Sequence, residues 1–342
     1  MNMISLFPKH QSVARSLVRM LYIMAISAAV VVSATPVKLI FDTDMGNDVD
    51  DVMALALIHV LEDQGACELL GVTLSTPHKF AAPFADAVNT FYGRPDIPIG
   101  INPDAPDGFF PDKDFLKLAR RPDLYPHDFK SAEAMRSVPL LRKLLASADD
   151  GSVVIVQVGF FTNLAELLDS KGDTFSPLEG RELVKQKVRL LSLMGGDFQR
   201  KRAEYNVRFD VKAARQVAAR WPTAIVWSGS EIGDAVTFPA ESIQRDFGYV
   251  KNHIVHDAYQ LYRPTPHERP CWDLTSVWWA VHPETEQLSC SPPGTVTLSK
   301  TGVVSFVPAP AGRDRYLTIS FRQAADLRTV FARLVSTPPA KR

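Results

Sequence analysis

Five aspartates lie within ten residues near the beginning of the chain: Asp42, Asp44, Asp48, Asp50 and Asp51. No lysine or arginine occurs between positions 38 and 79 to balance their charge. Crowded carboxylates repel one another, which raises their pKa values and costs stability unless a cation is bound. Oxygen ligands without a nearby histidine or cysteine suit Ca²⁺ or Mg²⁺ better than zinc, and Ca²⁺ accepts more ligands in looser geometry. The segment therefore predicts a calcium site.

Helix capping is the alternative interpretation of this acidic segment. Carboxylates at a helix amino terminus are stabilised by the helix dipole, and this accounts for one or two of the later aspartates. It does not account for Asp42 and Asp44, which lie on the strand side. An apolar strand leads into the segment and an apolar helix leads out, so the aspartates lie at the carboxyl end of a strand. Open α/β sheets bind their ligands at that end.

The elements that position these aspartates alternate along the chain. The pattern predicts strands at residues 37–41, 69–74, 153–158, 188–194 and 224–227, and helices at 50–61, 81–92, 164–168, 211–219 and 324–334. A proline-rich, partly irregular excursion is expected at 102–131, and a hairpin at 294–307. This alternation predicts an α/β fold with an open, mostly parallel, Rossmann-like sheet flanked by helices, ending in a C-terminal β-hairpin and helix. One domain is expected, from residue 35 to residue 342.

Two later segments carry groups suited to a sugar ligand. Gly195 and Gly196 follow an apolar strand and permit close backbone approach to a ligand, although a plain strand-ending turn is an equal alternative. Glu204 and Asn206 are spaced two apart, so in an extended segment both side chains point the same way and can grip sugar hydroxyls. A solvated polar loop is the alternative for this pair.

Asp273 precedes an apolar helix that contains Val277, Trp278 and Trp279. Burial is therefore expected around this aspartate, and a buried carboxylate needs a partner. Capping of the helix is the alternative role for Asp273.

The acidic segment resembles the calcium-binding amino-terminal motif of the inosine-uridine-type nucleoside hydrolases, whose usual form is Asp-x-Asp-Pro-Gly-x-Asp-Asp. The order matches: a strand, Asp42-Thr43-Asp44, Gly46, and then Asp50-Asp51 opening a helix. Met45 stands where proline is commonest, and two extra residues precede the final aspartate pair, which leaves the role of Asp48 open.

Three further segments resemble the same family in the expected order. Residues 156–165 are similar to the strand-to-helix turn whose backbone carbonyl ligates calcium. Residues 193–197 and 203–206 are similar to the segment that grips ribose. Residues 272–275 are similar to the carboxy-terminal segment whose aspartate completes the calcium shell.

The resemblance implies a role for each matching residue. The metal ligands that it implies are Asp44, Asp51, Asp273 and the backbone carbonyl of Val158. The residues that it implies for substrate binding are Asp50, Glu204, Asn206 and Trp272. Asp44 would also be the general base that takes a proton from the attacking water. The residues whose part in the site stays open are Asp42, Asn47, Asp48, His78 and Met194.

The group that assists the departing base is not evident. One branch of the family carries a histidine immediately before the last aspartate, and this chain has Trp272 there. A purine-specific branch has tryptophan at that place and activates the purine by stacking, which favours purines weakly. His78, His127 and His267 are the alternative acids.

The charge balance of the 342-residue chain depends on its first 34 residues. Lysine plus arginine equal aspartate plus glutamate at 38 each, which removes the simplest argument for a nucleic-acid or anionic-membrane partner. Residues 1–34 hold Lys9, Arg15 and Arg19, no acid, an apolar run at residues 20–32, and then the small residues Ser33 and Ala34. This layout predicts a signal peptide and a secreted or periplasmic protein. An uncleaved anchor or a mispredicted start are the alternatives.

Export would place the three cysteines in an oxidising compartment. Cys271 and Cys290 could pair there and leave Cys67 free, although the sequence does not settle this pairing.

These observations together predict a calcium-dependent nucleoside hydrolase that releases a free base and ribose. Two alternatives stay open: a non-catalytic, calcium-dependent ribose- or nucleoside-binding protein, and a hydrolase of another ribosyl conjugate. The expected partner is a small-molecule nucleoside, with no nucleic-acid polymer and no membrane beyond the export signal. Members of the family are commonly oligomeric, so a homo-oligomer is compatible with the resemblance.

Overall fold

The computed structural model describes residues 35–108 and 114–340. Its strands, in chain order, are β1 (Val37–Thr43), β2 (Cys67–Leu74), β3 (Ile99–Gly100), β4 (Val153–Gln157), β5 (Val188–Met194), β6 (Ala224–Ser228), β7 (Thr237–Phe238), β8 (Arg269–Pro270), β9 (Ser289–Cys290), β10 (Gly294–Leu298), β11 (Val304–Pro308) and β12 (Asp314–Thr318).

The strands form a ten-stranded main sheet and a two-stranded sheet. The order of the main sheet is β11-β10-β12-β6-β5-β4-β1-β2-β3, with β9 paired to β12, while β7 pairs with β8. From β12 to β3 every neighbouring pair is parallel, and β10 is antiparallel to both β11 and β12. The carboxyl ends of β1, β4 and β5 therefore meet at one edge of the sheet.

The α-helices are α1 (Asp50–Asp63), α2 (Ala81–Phe91), α3 (Ser137–Ser147), α4 (Thr162–Asp169), α5 (Gly180–Lys187), α6 (Tyr205–Phe209), α7 (Val211–Arg220), α8 (Ser230–Ala235), α9 (Ala240–Arg245), α10 (Ile254–Tyr262), α11 (Trp272–Val281) and α12 (Phe321–Val335). Two short 3₁₀ helices, Leu116–Arg120 and Ser131–Glu133, lie in or beside the proline-rich excursion.

Helices cover both faces of the sheet because side chains alternate along each buried strand. In β1, Leu39 and Phe41 join the apolar cluster that contains α1, α11 and α12, whereas Ile40 joins the cluster that contains α3, α4 and α7. Packing of α1 and α11 on the same face brings the amino-terminal ends of these two helices together at the edge where β1 ends.

The fold predicted from the sequence is confirmed, including the mostly parallel sheet, the C-terminal hairpin (β10 and β11) and the closing helix α12. The predicted strands and helices all occur, with ends that shift by at most three residues. The pattern missed β12, which inserts between the hairpin and β6, and the two-residue strands β3, β7, β8 and β9. It also missed helices α3, α5, α6, α8, α9 and α10.

The predicted export signal at residues 1–34 lies outside the described residues. Within the part of the chain that the structure describes, no helix combines the length and apolarity that crossing a bilayer requires. The pairing of Cys271 with Cys290 is not formed, since all three cysteines are free thiols. Cys271 is buried at the start of α11, where its Sγ donates a hydrogen bond to the carbonyl of Arg269 over 3.7 Å.

Candidate active site

Three buried carboxylates from two helices form the floor of the site. Asp50 and Asp51 lie in the first turn of α1 and Asp273 lies in the first turn of α11. One carboxylate oxygen of each lies within 4.8 Å of one from each of the others. The backbone N–H of Asp273 donates to Asp50 Oδ2 over 3.2 Å, which ties the two helix ends together. We call these three residues the carboxylate trio.

Burial raises the pKa of all three carboxyls of the trio well above their ordinary value, and the neighbouring negative charges raise it further. The hydroxyl of Thr43 donates to Asp51 and opposes this shift in part. The residue that caps α1 is Val49, which makes no side-chain capping bond. Capping therefore does not explain why these carboxylates converge, and a bound cation would relieve their repulsion.

Asp44 lies next to the trio, in the turn between β1 and α1. This turn requires glycine at position 46, where φ is +116°, because other residues rarely adopt a positive φ. Burial raises the pKa of Asp44 to about 7, and the neighbouring charge of Asp48 adds to the shift. The side-chain amide of Asn47 donates to Asp44 Oδ2 over 2.9 Å, which fixes the orientation of this carboxylate.

Asp42 does not line the cavity although it lies only two residues before Asp44. Its Oδ2 accepts hydrogen bonds from Thr73 (2.7 Å) and Asn163 (2.8 Å), and the residue is fully buried. Burial raises its pKa to about 7. Asp42 therefore links three segments behind the site and does not reach the cavity.

Val158 brings its backbone carbonyl to the site from the turn after β4. The amide Nδ2 of Asn206 donates to this oxygen over 2.7 Å and lies 3.5 Å from Met194 Sδ. A carbonyl oxygen has two lone pairs, so this bond leaves one for a further partner. The structure thus brings three predicted residues from three different segments into contact.

The expectation of an extended segment around Glu204 and Asn206 is wrong. Glu204 caps helix α6, and its carboxylate accepts from the backbone N–H groups of Asn206 (2.9 Å), Val207 (3.2 Å) and Gly196 (3.4 Å). The cap forms because a carboxylate satisfies the unpaired N–H groups of the first helical turn. Burial raises the pKa of Glu204 to about 7. Both side chains still line the cavity.

Arg269 supplies a positive charge that sequence analysis missed. Its Nε donates to Asp48 Oδ1 over 2.8 Å and its Nη2 donates to Asp48 Oδ2, while the hydroxyl of Tyr262 donates to Asp48 Oδ2 over 3.3 Å. The role of Asp48, left open above, is thus to hold an arginine that comes from 221 residues further along the chain. Neither residue carries a local sequence signal for this pairing.

Trp272 lies in the cavity wall beside the trio. Its indole N–H donates to the carbonyl of Ser230 and to Asp234 Oδ1, each over 3.0 Å. The guanidinium carbon of Arg269 lies 4.8 Å from the centroid of the Trp272 ring. This contact is a cation–π interaction.

The three histidines considered as acids for the departing base do not line the cavity. His78 Nδ1 accepts from the backbone N–H of Phe80 (3.3 Å), His127 hydrogen-bonds the carbonyl of Ala119 (2.9 Å), and His267 stacks on Tyr259. Among the described residues, no histidine lines the cavity. Gly195 and Gly196 do not line it either, so the alternative of a strand-ending turn fits them.

The carboxylate trio, Asp44 and the groups around them face one cavity of about 340 Å³. The sequence-predicted residues that line it are Asp44, Asn47, Asp48, Asp50, Asp51, Val158, Met194, Glu204, Asn206, Trp272 and Asp273. The lining residues that sequence analysis missed include Arg202, Tyr205, Arg208, Tyr262 and Arg269. Asp42 and His78, which were candidates, do not line it.

The donor set suits a hard divalent cation. The trio, Asp44 and the Val158 carbonyl are all oxygen donors, and the trio is buried with unfavourable mutual repulsion. Calcium takes six to eight such oxygens in flexible geometry. The residues present therefore fit calcium better than a softer metal.

Sequence comparison identifies the family. The family model described as inosine-uridine preferring nucleoside hydrolase matches residues 39–314. The chain belongs to the inosine-uridine preferring nucleoside hydrolase family. A comparison with curated proteins gave no match.

Solved structures of nucleoside hydrolases and of an effector protein share the fold. The inosine-uridine preferring nucleoside hydrolase from Bacillus anthracis is 17% identical with a TM-score of 0.64, covering 87% of this chain and 99% of that chain. The purine-preferring ribonucleoside hydrolase from Gardnerella vaginalis is 19% identical with a TM-score of 0.66, covering 87% and 99%. The type III effector protein XopQ is 14% identical with a TM-score of 0.66, covering 89% and 95%. At these identities the likeness establishes the fold.

Membership in the nucleoside hydrolase family confirms the resemblance drawn from the four sequence motifs. Family and fold together support hydrolysis of N-glycosyl compounds in general terms. They also support a small nucleoside as the kind of substrate.

Proposed function

We propose that this chain hydrolyses the N-glycosidic bond of ribonucleosides and depends on calcium. The observation that carries the proposal is the position of Asp44 beside the buried carboxylate trio in one cavity. Asp44 lines the cavity beside the trio, so its carboxylate could contact both a cation held there and the attacking water. Asp44 is held there by Asn47.

The residues that would hold the calcium are Asp44, Asp51, Asp273 and the Val158 carbonyl. Bound calcium would supply positive charge that lowers the pKa of a water and orients the ribose hydroxyls. Asp44 would take the proton of the attacking water, whose oxygen forms the new bond to C1′. The reaction passes through an oxocarbenium-like transition state, as in other glycoside hydrolysis.

The ribose would lie between the trio and helix α6. Asp50 would bind ribose hydroxyls from one side, and Glu204 and Asn206 from the other. Glu204 is rigid because it caps α6, and Asn206 is rigid because it is bonded to Val158. Rigid groups orient a substrate with little loss of entropy on binding.

We further propose a preference for purines, supported by the flat guanidinium of Arg269, which lies over the rings of Tyr262 and Trp272 in the cavity wall and suits a flat base. The printed preference of the Gardnerella vaginalis protein applies to that protein. We also propose export, supported by the basic and apolar pattern of residues 1–34.

A second candidate keeps the chemistry and changes the substrate to another ribosyl conjugate. Arg202 and Arg208 line the same cavity and would suit a negatively charged substituent. XopQ was solved in complex with adenosine diphosphate ribose. The second candidate predicts release of the conjugate's substituent and little action on neutral nucleosides.

A panel of nucleosides and adenosine diphosphate ribose, incubated with the protein and Ca²⁺ or a chelator, separates the candidates. The proposal predicts free base and ribose from nucleosides with Ca²⁺, loss of turnover in chelator, and recovery when Ca²⁺ is restored. Binding without release of base would instead identify a nucleoside-binding protein. Full activity in chelator would show that the reaction does not require calcium.

A further inference from the structure

Arg269 is fixed in the cavity wall by three neighbours. Two of its nitrogens donate to the two oxygens of Asp48, and its guanidinium carbon lies 4.9 Å from the ring centroid of Tyr262 and 4.8 Å from that of Trp272. Its side chain is only 22% exposed. Burial lowers the pKa of Arg269, but the charge and hydrogen bonding of Asp48 outweigh burial and hold this pKa above its ordinary range. The group stays charged at every pH of interest.

Trp272 is poorly placed to stack on a base by itself. Arg269 lies over its ring, and its N–H is bonded to Ser230 and Asp234. Gly233 packs against the indole so closely that a Cβ there would overlap Trp272 Cδ1. The indole therefore packs against the guanidinium of Arg269 and helps to hold it in place.

The nucleoside reaction needs a group at the departing base. When the bond between C1′ and the base nitrogen breaks, its electron pair stays on the base, and charge develops there in the transition state. Among the described residues, no histidine lines the cavity to protonate the base. A fixed positive charge in a partly dehydrated wall stabilises such developing charge without moving a proton.

We infer that Arg269 stabilises the departing base, with Asp48 as the positioning residue that orients it. The nitrogen Nη1 makes neither of the two bonds to Asp48 and would donate to the base. The water oxygen bonds to C1′, its proton passes to Asp44, and the released base takes a proton from solvent. This inference rests on the proposed function, because it assigns a role within the same hydrolysis.

The test compares two leaving groups. p-Nitrophenyl β-D-ribofuranoside releases a phenolate that carries its negative charge without help, whereas inosine releases a base that needs stabilisation. For Arg269→Met we expect the ratio of kcat for inosine to kcat for the nitrophenyl riboside to fall about 100-fold, as expected for the loss of one preorganised donor. Arg269→Lys keeps the charge but not the bidentate geometry, so we expect a smaller fall in the same ratio.

The matched control is Arg328→Met. Arg328 also pairs bidentately with a carboxylate, that of Glu268, and its side chain is 30% exposed, but it lies outside the cavity lining. For Arg328→Met we expect the ratio of kcat for inosine to kcat for the nitrophenyl riboside to equal that of the wild type. Thermal unfolding of each variant shows whether it is folded, and Arg269→Lys serves as the test if Arg269→Met does not fold.

Equal losses on both substrates in the folded Arg269 variants would overturn the inference and leave the proposed function standing. A wild-type protein that hydrolyses neither substrate would overturn the proposed function, and the inference with it. Rescue of inosine turnover in Arg269→Met by added guanidinium, with no effect on the control, would support the inference further.

Discussion

Replacing Asp273 by asparagine is expected to have opposite effects on stability with and without calcium. The ligand oxygens of the trio lie within 4.8 Å of one another, where two full charges repel by about 3.5 kcal/mol at an effective dielectric constant of 20. Burial raises the pKa of Asp273, which lowers this repulsion below that of two fully ionised carboxylates. We therefore expect the metal-free protein to gain about 1–2 kcal/mol of stability, which is roughly 1.5–3 °C in Tm for a chain of this size.

With calcium the sign reverses, because the variant lacks one ligand. A site saturated at 100 times its Kd stabilises the folded state by about 2.7 kcal/mol, and the variant is expected to lose most of this. Differential scanning calorimetry at pH 8, in chelator and in excess Ca²⁺, measures both effects. The exposed Asp326→Asn serves as the charge-matched control. An Asp273→Asn variant whose Tm falls equally in both conditions would refute the reasoning, because it would show no repulsion within the trio.

Three further outcomes are expected. Protons compete with Ca²⁺ for the trio because burial raises the pKa values of its carboxyls. The Kd for Ca²⁺, measured by titration calorimetry, is therefore expected to increase from pH 8 to pH 6. A constant Kd would contradict this. Glu204→Ala removes the cap of α6, and we expect it to lower the free energy of unfolding in urea by about 1 kcal/mol. The same variant is expected to raise the KM for nucleosides. An unchanged KM would exclude Glu204 from ribose binding. Burial lowers the pKa of His253 from 6.5 to about 4. The unfolded chain therefore binds the proton more readily than the folded chain. The free energy of unfolding is expected to fall by up to about 3 kcal/mol as pH drops from 6.5 to 4. In His253→Gln this dependence of the free energy of unfolding on pH is expected to disappear, as measured by acid unfolding. If the dependence is unaltered, other groups cause it.

The sequence was sufficient for the parts of the fold and site that depend on local pattern. Strand β1, the turn at Gly46 and helix α1 follow one another directly, so the acidic segment could be placed at the carboxyl end of a strand. Asp273 could be placed at the start of an apolar helix for the same reason. Its proximity to Asp50 and Asp51 came from the family resemblance, since no local pattern says that α1 and α11 pack together.

The sequence was insufficient where tertiary contacts decide. Arg269 and Asp48 are far apart in the chain, and their pairing depends on where the β8 segment lies. Strand β12 is short and carries polar side chains, so its membership in the sheet depends on β6 and β10 beside it. Glu204 was placed on an extended segment because a five-residue helix leaves little periodicity to detect.

We propose that Asp44 takes the proton of the water that attacks the nucleoside. The most direct test is the rate of hypoxanthine release from inosine by the wild type and by Asp44→Asn, both saturated with Ca²⁺. The account predicts a wild type that turns over and a variant whose kcat falls by about 100-fold or more. A variant that retains a tenth or more of the wild-type rate, or a wild type that releases no base, would contradict the account.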